Sequence, residues 1–271
     1  MTATPIPRTL ALILYGDLDI SIIDELPPNR KKVDTFAVKK NMEERVNNFV
    51  KKQINEGRQA YIVCPLVEEN EEMDLKSVEE LTKKYKEETF SEYKVEYLHG
   101  KMKAKEKDDI MEKFKNGDID ILISTTVIEV GVNVPNASIM VVENAERFGL
   151  AQLHQLRGRV GRGEYQSYCI LKYEGNGKVV QERMKIMTST NDGFIISEKD
   201  LELRGSGEFF GTKQHGLPEF KIVNLFEDIE MLKMVQSLAI RIIEKDEKLE
   251  KPENILLNKM VEKKFKDRIE I

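Results

Sequence analysis

Between residues 41 and 173 the chain alternates between helix-period and strand-period apolar patterning, and this alternation most narrows its fold. MEERVNNFVKKQI (42–54) reads as an amphipathic helix, with Asn41 and Glu44 at capping-box spacing before it and Gly57 ending it. AYIVCPLV (60–67) is almost continuously apolar, as a strand covered on both faces must be. A charged helical stretch follows over 74–89, then the strand VEYLHG (95–100) and the helix AKEKDDIMEKFKNG, which stops at Gly117. IDILISTT (119–126), ASIMVVEN (137–144) and SYCILKY (167–173) complete the strands. The series spells βαβ units: an α/β fold with a parallel sheet and helices on both faces. Ligands of such sheets gather outside the carboxyl ends of the strands. Here those ends open into His99-Gly100, Thr125-Thr126 and Glu143-Asn144.

The flanks differ. TATPIPRT and LPPNR give the first 35 residues the look of the tail of a preceding domain and a linker. Beyond residue 174, GNGK predicts a turn and VVQERMKIMTST a helix. Ser197 and Asp200 stand at cap positions for a short helix, SEKDLELR. A glycine-rich loop, GSGEFFGTKQHG (205–216), and two helices near 221–245 and 253–268 follow. With 271 residues the length prior is about two domains. The reading divides the chain into 1–35, 36–175 and a mostly helical 176–271.

A net charge of -5 argues against a generally basic nucleic-acid binder but leaves room for a local basic track. Cys64 and Cys169 lie in apolar strands without metal-ligand spacing, which predicts buried, reduced thiols and no metal site. No apolar run approaches the ~20 residues that span a bilayer, and the expected location is cytoplasmic.

AQLHQLRGRVGRG (151–163) carries the chemistry. Arg157, Arg159 and Arg162 sit among three glycines. Arginine presents five donors in a rigid fork, and glycine lets backbone approach a ligand closely, so the segment suits an oxyanion such as phosphate. Arg157 has two open readings, a helix-surface salt bridge or a share in that role.

Four stretches, TATPIPRTL (2–10), LHGKM (98–102), STTVIEVGVNVPNA (124–137) and QLRGRVGR (155–162), resemble motifs III to VI of superfamily 2 helicases, in that family's order. The resemblance implies a RecA-like second motor lobe. It implies that Arg162 first, and Arg159 second, reach across a cleft to stabilise the charge of a transferring phosphoryl group, an effect worth ~10³–10⁵ in rate in related enzymes. Gln155, Gly131 and Asn133 fall at positions near the nucleotide. Asn133 replaces the aspartate common near the ribose. Thr125, His99 and Gly100 fall where the family touches the nucleic-acid strand; a strand-end turn is the alternative for Thr125. His154 and His215 read as local packing or hydrogen-bonding residues.

DLELRGSGEFFGTKQHG (200–216) resembles the translocation motif shared by the RecG family of branched-DNA helicases and the transcription-repair coupling factor. There a helical hairpin and loop couple the motor to duplex movement. Arg204 and Gln214 match it as coupling residues, and Lys213 replaces an arginine. GDLDISIIDELPPNR (16–30) is also RecG-like. The chain has no GxxxxGK[ST] and no DExH-type carboxylate pair. The resemblance therefore implies half of an ATP site, inactive alone, completed in a full-length parent that uses ATP and Mg2+. The implied partners are branched DNA (forks and Holliday junctions) and, in cis, an N-terminal motor lobe and a wedge domain. A monomer with no membrane contact is expected. The coupling factor and a non-catalytic helicase-like module are the alternatives.

Overall fold

The computed structural model describes residues 31–65, 80–125, 134–209 and 229–265. They form two compact units, one holding the described residues up to Phe209 and the other those from Ile229 onward.

The first unit is a three-layer α/β lobe. Its strands are β1 (Asp34–Val38), β2 (Gln59–Val63), β3 (Val95–Leu98), β4 (Ile121–Ser124), β5 (Ala137–Val142) and β6 (Tyr168–Lys172). They make one six-stranded sheet in the order β1-β6-β5-β2-β4-β3, with every pairing parallel. The predicted strands β2 to β6 and the parallel sheet are all present. The strand β1 is an addition, because the alternation read from the sequence begins only at residue 41.

Strand alternation sorts the side chains into two cores. Tyr61, Val63, Leu122, Met140, Val142, Cys169 and Leu171 point to one face. Ala60, Ile62, Ile121, Ile123, Ile139, Val141 and Ile170 point to the other. Helix α1 (Glu43–Asn55) covers the second face with Val46, Val50 and Ile54, one residue per turn along a single stripe. Burying each side chain is worth about 1.5–3 kcal/mol. Asn41 is not its cap. It lies in a 3-10 turn, Lys40–Met42, and the N-cap is Met42, without a side-chain hydrogen bond. Glu43 and Glu44 in the first turn serve the helix dipole instead. Gly57, at φ +82, ends the helix as predicted. On the same face, the described part of the 74–89 stretch is helical and tightens into a π-helical turn, Tyr85–Thr89, that buries Tyr85.

The first face carries α2 (Ala104–Lys115), α3 (Leu150–Arg157), α4 (Lys178–Ser189) and α5 (Gly193–Phe209). They contribute Phe114, then Leu150, Leu153 and Leu156, then Met184 and Met187, and finally Ile196. Helix α5 is longer than the predicted segment. Asp192 caps it, its Oδ1 accepting from Phe194 N at 2.8 Å and Ile195 N at 3.4 Å. Ser197 and Asp200 lie within the helix rather than at its start. Gly205, Ser206 and Gly207, read as the start of a loop, continue it. The rest of that stretch lies outside the described residues.

The second unit contains α6 (Ile229–Lys245) and α7 (Ile255–Phe265), joined through a 3-10 turn, Pro252–Asn254. Asp246 organises the join. Its carboxylate accepts from Asn254 Nδ2 (2.8 Å), Lys251 N (2.9 Å) and Glu250 N (3.0 Å). The Asn254 amide is the chief cause holding this carboxyl below its ordinary range, ahead of the backbone donors. Leu249 turns the chain in the left-handed region at φ +53. No helix among the described residues is long and apolar enough to cross a membrane.

Candidate nucleotide and nucleic-acid site

The predicted site residues fall into two groups at opposite ends of the sheet. His99, Gly100 and Thr125 follow β3 and β4 at their carboxyl ends. The loop bearing Arg159 and Arg162 lies at the amino ends of β1, β2, β5 and β6. Its Gly161 N–H donates to Ser167 Oγ beside the start of β6 (3.1 Å), and its Gly163 abuts the Pro135 carbonyl ahead of β5.

At the carboxyl end, His99 stacks on Tyr97, with ring centroids 5.8 Å apart and planes 16° from parallel. Its Nδ1 accepts from Lys101 N at 3.2 Å. The Gly100 carbonyl accepts from Lys107 Nζ at 2.5 Å, which pins the turn to α2. Thr125 is 1% exposed, and its Oγ1 has no hydrogen-bond partner among the described residues. An orphaned buried hydroxyl costs about 1–3 kcal/mol. Gly131 and Asn133 lie outside the described residues.

At the amino end, α3 passes through Gly158 into a turn in which Arg159 N donates to Leu156 O (3.0 Å) and Val160 N to Arg157 O (3.3 Å). Gly161 then adopts φ +78, where a Cβ would come within 2.8 Å of Val33 Cγ2. Both demands select glycine. Arg162 is exposed, and its Nε donates to Gly158 O at 3.2 Å. Gln155 and Arg159 are half-buried and already engaged within the protein. Burial raises the Tyr61 phenol to about 12 against the opposing pull of Arg159 and Arg162, so both guanidinium charges act on the middle of β2.

Arg157 is not a surface ion-pair residue. It is 2% exposed, and its Nη1 donates to Met187 O (2.9 Å) and Thr190 O (2.8 Å), with Thr35 Oγ1 at 3.4 Å. Its Nη2 lies 2.9 Å from His154 Nδ1, so that nitrogen is the acceptor and His154 is the local hydrogen-bonding residue expected. Burial lowers the Arg157 pKa from its ordinary value. The sequence carried the signal: Arg157 lies seven residues after Leu150 and four after Leu153, on the buried stripe of α3. Helix α4 returns the grip through Arg183, whose Nη1 donates to Glu146 O (3.0 Å) and Phe148 O (2.9 Å), the carbonyls that lead into α3.

A second polar cluster, which belongs to no sequence motif, lies at the carboxyl end of β6. Lys172 Nζ meets Glu143 Oε1 at 2.7 Å and Glu43 Oε1 at 3.7 Å, and Tyr85 Oη donates to Glu143 at 2.8 Å. Lys172 is the lone cation at the end of an apolar strand run, which was its sequence signal. Burial raises Tyr85 strongly, and the Glu143 charge raises it further. Cys64 and Cys169 are buried free thiols. Among the described residues no group of His, Cys, Asp and Glu is placed to hold a metal ion.

Arg204 lies on α5, and Gln214 lies outside the described residues. Residues 41–164 match the helicase conserved C-terminal domain, and residues 190–270 match ATP-dependent DNA helicase RecG, domain 3, C-terminal. Over 257 residues the chain is 49% identical to the ATP-dependent DNA helicase RecG of Bacillus subtilis, covering 95% of this chain and 38% of that protein. The chain is similar to RecG along nearly its whole length. The RecG of Pasteurella multocida is 52% identical over 248 residues, 90% of this chain and 35% of its own length. A solved structure of RecG bound to a three-way DNA junction superposes with a TM-score of 0.68 at 48% identity, over 86% of this chain and 30% of that one. The chain thus spans about a third of the length of the RecG proteins it matches, and it represents their C-terminal helicase region.

Proposed function

We propose that the chain supplies the second motor lobe and translocation segment of an ATP-dependent helicase that remodels branched DNA, at stalled forks and Holliday junctions, in recombination and repair. The observation that carries this reading is that the likeness to RecG runs through both the sheet lobe and the helices after it, where residues 190–270 match RecG's own domain. That span favours RecG over the transcription-repair coupling factor and over a bare helicase-like module. A RecG relative has been solved on a three-way DNA junction, which supports a branched substrate.

In this reading Arg162 and Arg159 contact the phosphates of ATP held mainly by the rest of the full-length polypeptide. The fit of the residues is partial. An exposed guanidinium and a half-buried one, whose charges both reach Tyr61, suit an anion. The described residues offer no ligand cluster for Mg2+, which would be held elsewhere in the polypeptide. When bound, ATP would supply the phosphoryl group and Mg2+ would neutralise phosphate charge, and this lobe would add positive charge beside them. Gln155 orients beside these arginines, with Gly131 and Asn133 assigned to the nucleotide. Thr125, His99 and Gly100 follow the DNA backbone. Residues 176–271 form the translocation extension, and the protein acts as a cytoplasmic monomer.

Because the sequence has neither a phosphate loop nor a DExH-type pair, the chain alone is expected not to turn over ATP. ATP hydrolysis and fork unwinding by the full-length polypeptide, measured beside the purified chain, test this. Magnesium-dependent, DNA-stimulated turnover by the chain alone overturns the half-site reading. A full-length polypeptide that binds forks but neither hydrolyses ATP nor unwinds them overturns the helicase reading.

A further inference from the structure

The loop from Gly158 to Ser167 is fastened at its far side by a contact outside the four helicase-like stretches. Arg58 Cζ lies 3.0 Å from the centroid of the Tyr165 ring. Tyr165 stands three residues beyond Arg162. We infer that Arg58 and Tyr165 are positioning residues for Arg162, their stack holding the loop so that its guanidinium fork is presented in one geometry. The inference rests on the assignment of Arg162 to the ATP phosphates.

Arg58 is well placed to serve as a fixed anchor. Its backbone is set by the end of α1, where Gly57 N donates to Ile54 O (2.7 Å) and Arg58 N to Gln53 O (3.1 Å). Its Nη1 reaches Asn136 Oδ1 at 3.5 Å. Asn136 is itself tied down, its Nδ2 donating to Gly57 O (2.9 Å) and Gln59 Oε1 (3.2 Å). Gln59 in turn donates to Phe114 O (2.5 Å) and Ile119 O (2.7 Å) inside the lobe. The guanidinium is therefore tied through part-exposed Asn136 to the buried Gln59.

Tyr165 is 47% exposed, so hydrophobic burial alone does not hold its ring in place. The Arg58 guanidinium over the face of this ring supplies that restraint. The near side of the loop is closed by Gly161 N donating to Ser167 Oγ and by the fit of Gly163 against Pro135. Arg162 lies between these two fastenings and is exposed. Of the fastenings, only the Arg58 stack is made by two side chains that can be removed without leaving a hole in the core. A small misplacement of a charge that must meet a transition state costs much more in rate than in binding.

The test uses the full-length polypeptide. Arg58→Ala and Tyr165→Ala are each expected to lower kcat for DNA-stimulated ATP hydrolysis about ten-fold, with KM for ATP, fork affinity and Tm little changed. Tyr165→Phe, which keeps the ring face, is expected to restore kcat. Arg162→Ala, run alongside, tests the assignment beneath the inference: unchanged turnover in that variant overturns the assignment itself. If Arg162→Ala is inactive while both alanine variants keep wild-type kcat, the positioning role is wrong. Equal losses of kcat, fork affinity and Tm in the alanine variants also overturn it, in favour of a structural role.

Discussion

Arg157 Nη1 donates to the Thr190 carbonyl at 2.8 Å, joining the last residue of α3 to the junction between α4 and α5. With Met187 O on the same nitrogen and His154 on the other, the guanidinium satisfies acceptors that its removal would strand. Arg157→Ala is expected to lower the unfolding free energy by about 2–4 kcal/mol, and Arg157→Lys to recover only part, since one ammonium does not reproduce the fork. Urea denaturation measures this. A loss below about 1 kcal/mol would mean that the buried clamp contributes little.

Lys172 and Glu143 invite a different comparison. Removing one charge of this largely buried pair leaves Lys172 with Glu43 at 3.7 Å, or Glu143 with the Tyr85 hydroxyl, so Lys172→Met or Glu143→Leu alone is expected to cost about 2–4 kcal/mol. The double variant should recover a large part of that. Additive losses in the double-variant cycle would show that the pair is not coupled.

Alkaline pH should weaken the lobe. Burial raises the Cys64 and Cys169 thiols from the ordinary 9.0 to about 12. Tyr61 is raised from 10.0 to about 12, also chiefly by burial. Between these values the unfolded chain has lost protons that the folded chain keeps. The contribution to stability is complete below pH 9 and declines above it, by about 1.4 kcal/mol per pH unit for each thiol. Denaturation at about pH 7.5 and about pH 10.5, repeated with Cys64→Ala and Cys169→Ala, measures the slope and its origin. Stability that stays level across this range would contradict the prediction.

Two glycines with nearly the same φ separate conformational strain from collision. Gly57 (φ +82) has open space where a Cβ would stand, and Gly161 (φ +78) has Val33 Cγ2 at 2.8 Å. Gly57→Ala is expected to cost about 1–2 kcal/mol. Gly161→Ala should cost visibly more. Equal shifts in the two denaturation curves would remove Val33 from the argument.

For the translocation segment, Arg204→Ala or Gln214→Ala in the full-length polypeptide is expected to reduce fork unwinding far more than ATP hydrolysis or DNA binding. In the proposed function, lobe closure would be converted into movement by a polar element that changes partners between two states. Equal loss of unwinding and hydrolysis would point to a nucleotide-site or folding role instead.

Strands β2, β4, β5 and β6 are legible because burial on both faces demands nearly continuous apolar runs, as over 60–63 and 139–142. β1 escapes because DTFAV is an edge strand with Phe36 half exposed, and it shows neither a continuous run nor clean alternation. The extent of α5 escapes for another reason. Gly205 and Gly207 weaken any local case for helix, while the Asp192 cap and burial of Ile196 supply the tertiary one. In the site, motif spacing points to Arg159 and Arg162 but does not reveal that they lie across the sheet from His99 and Thr125. The Arg58–Tyr165 stack is invisible in sequence, since neither residue belongs to a pattern and only the folded sheet brings them together.

The register that pairs Asp34 with Tyr168 and Val38 with Lys172 also dictates an order of events during synthesis. Among the described strands, the earliest to leave the ribosome has its partner in the last. Until β6 emerges, β1 has no ladder to join, β5 presents an open edge, and the chain between them holds an incomplete sheet of non-local contacts, the slow and aggregation-prone regime of folding. A nascent chain stalled anywhere before residue 168 therefore carries a lobe that cannot close, and it would be a natural client for a chaperone that shields sheet edges.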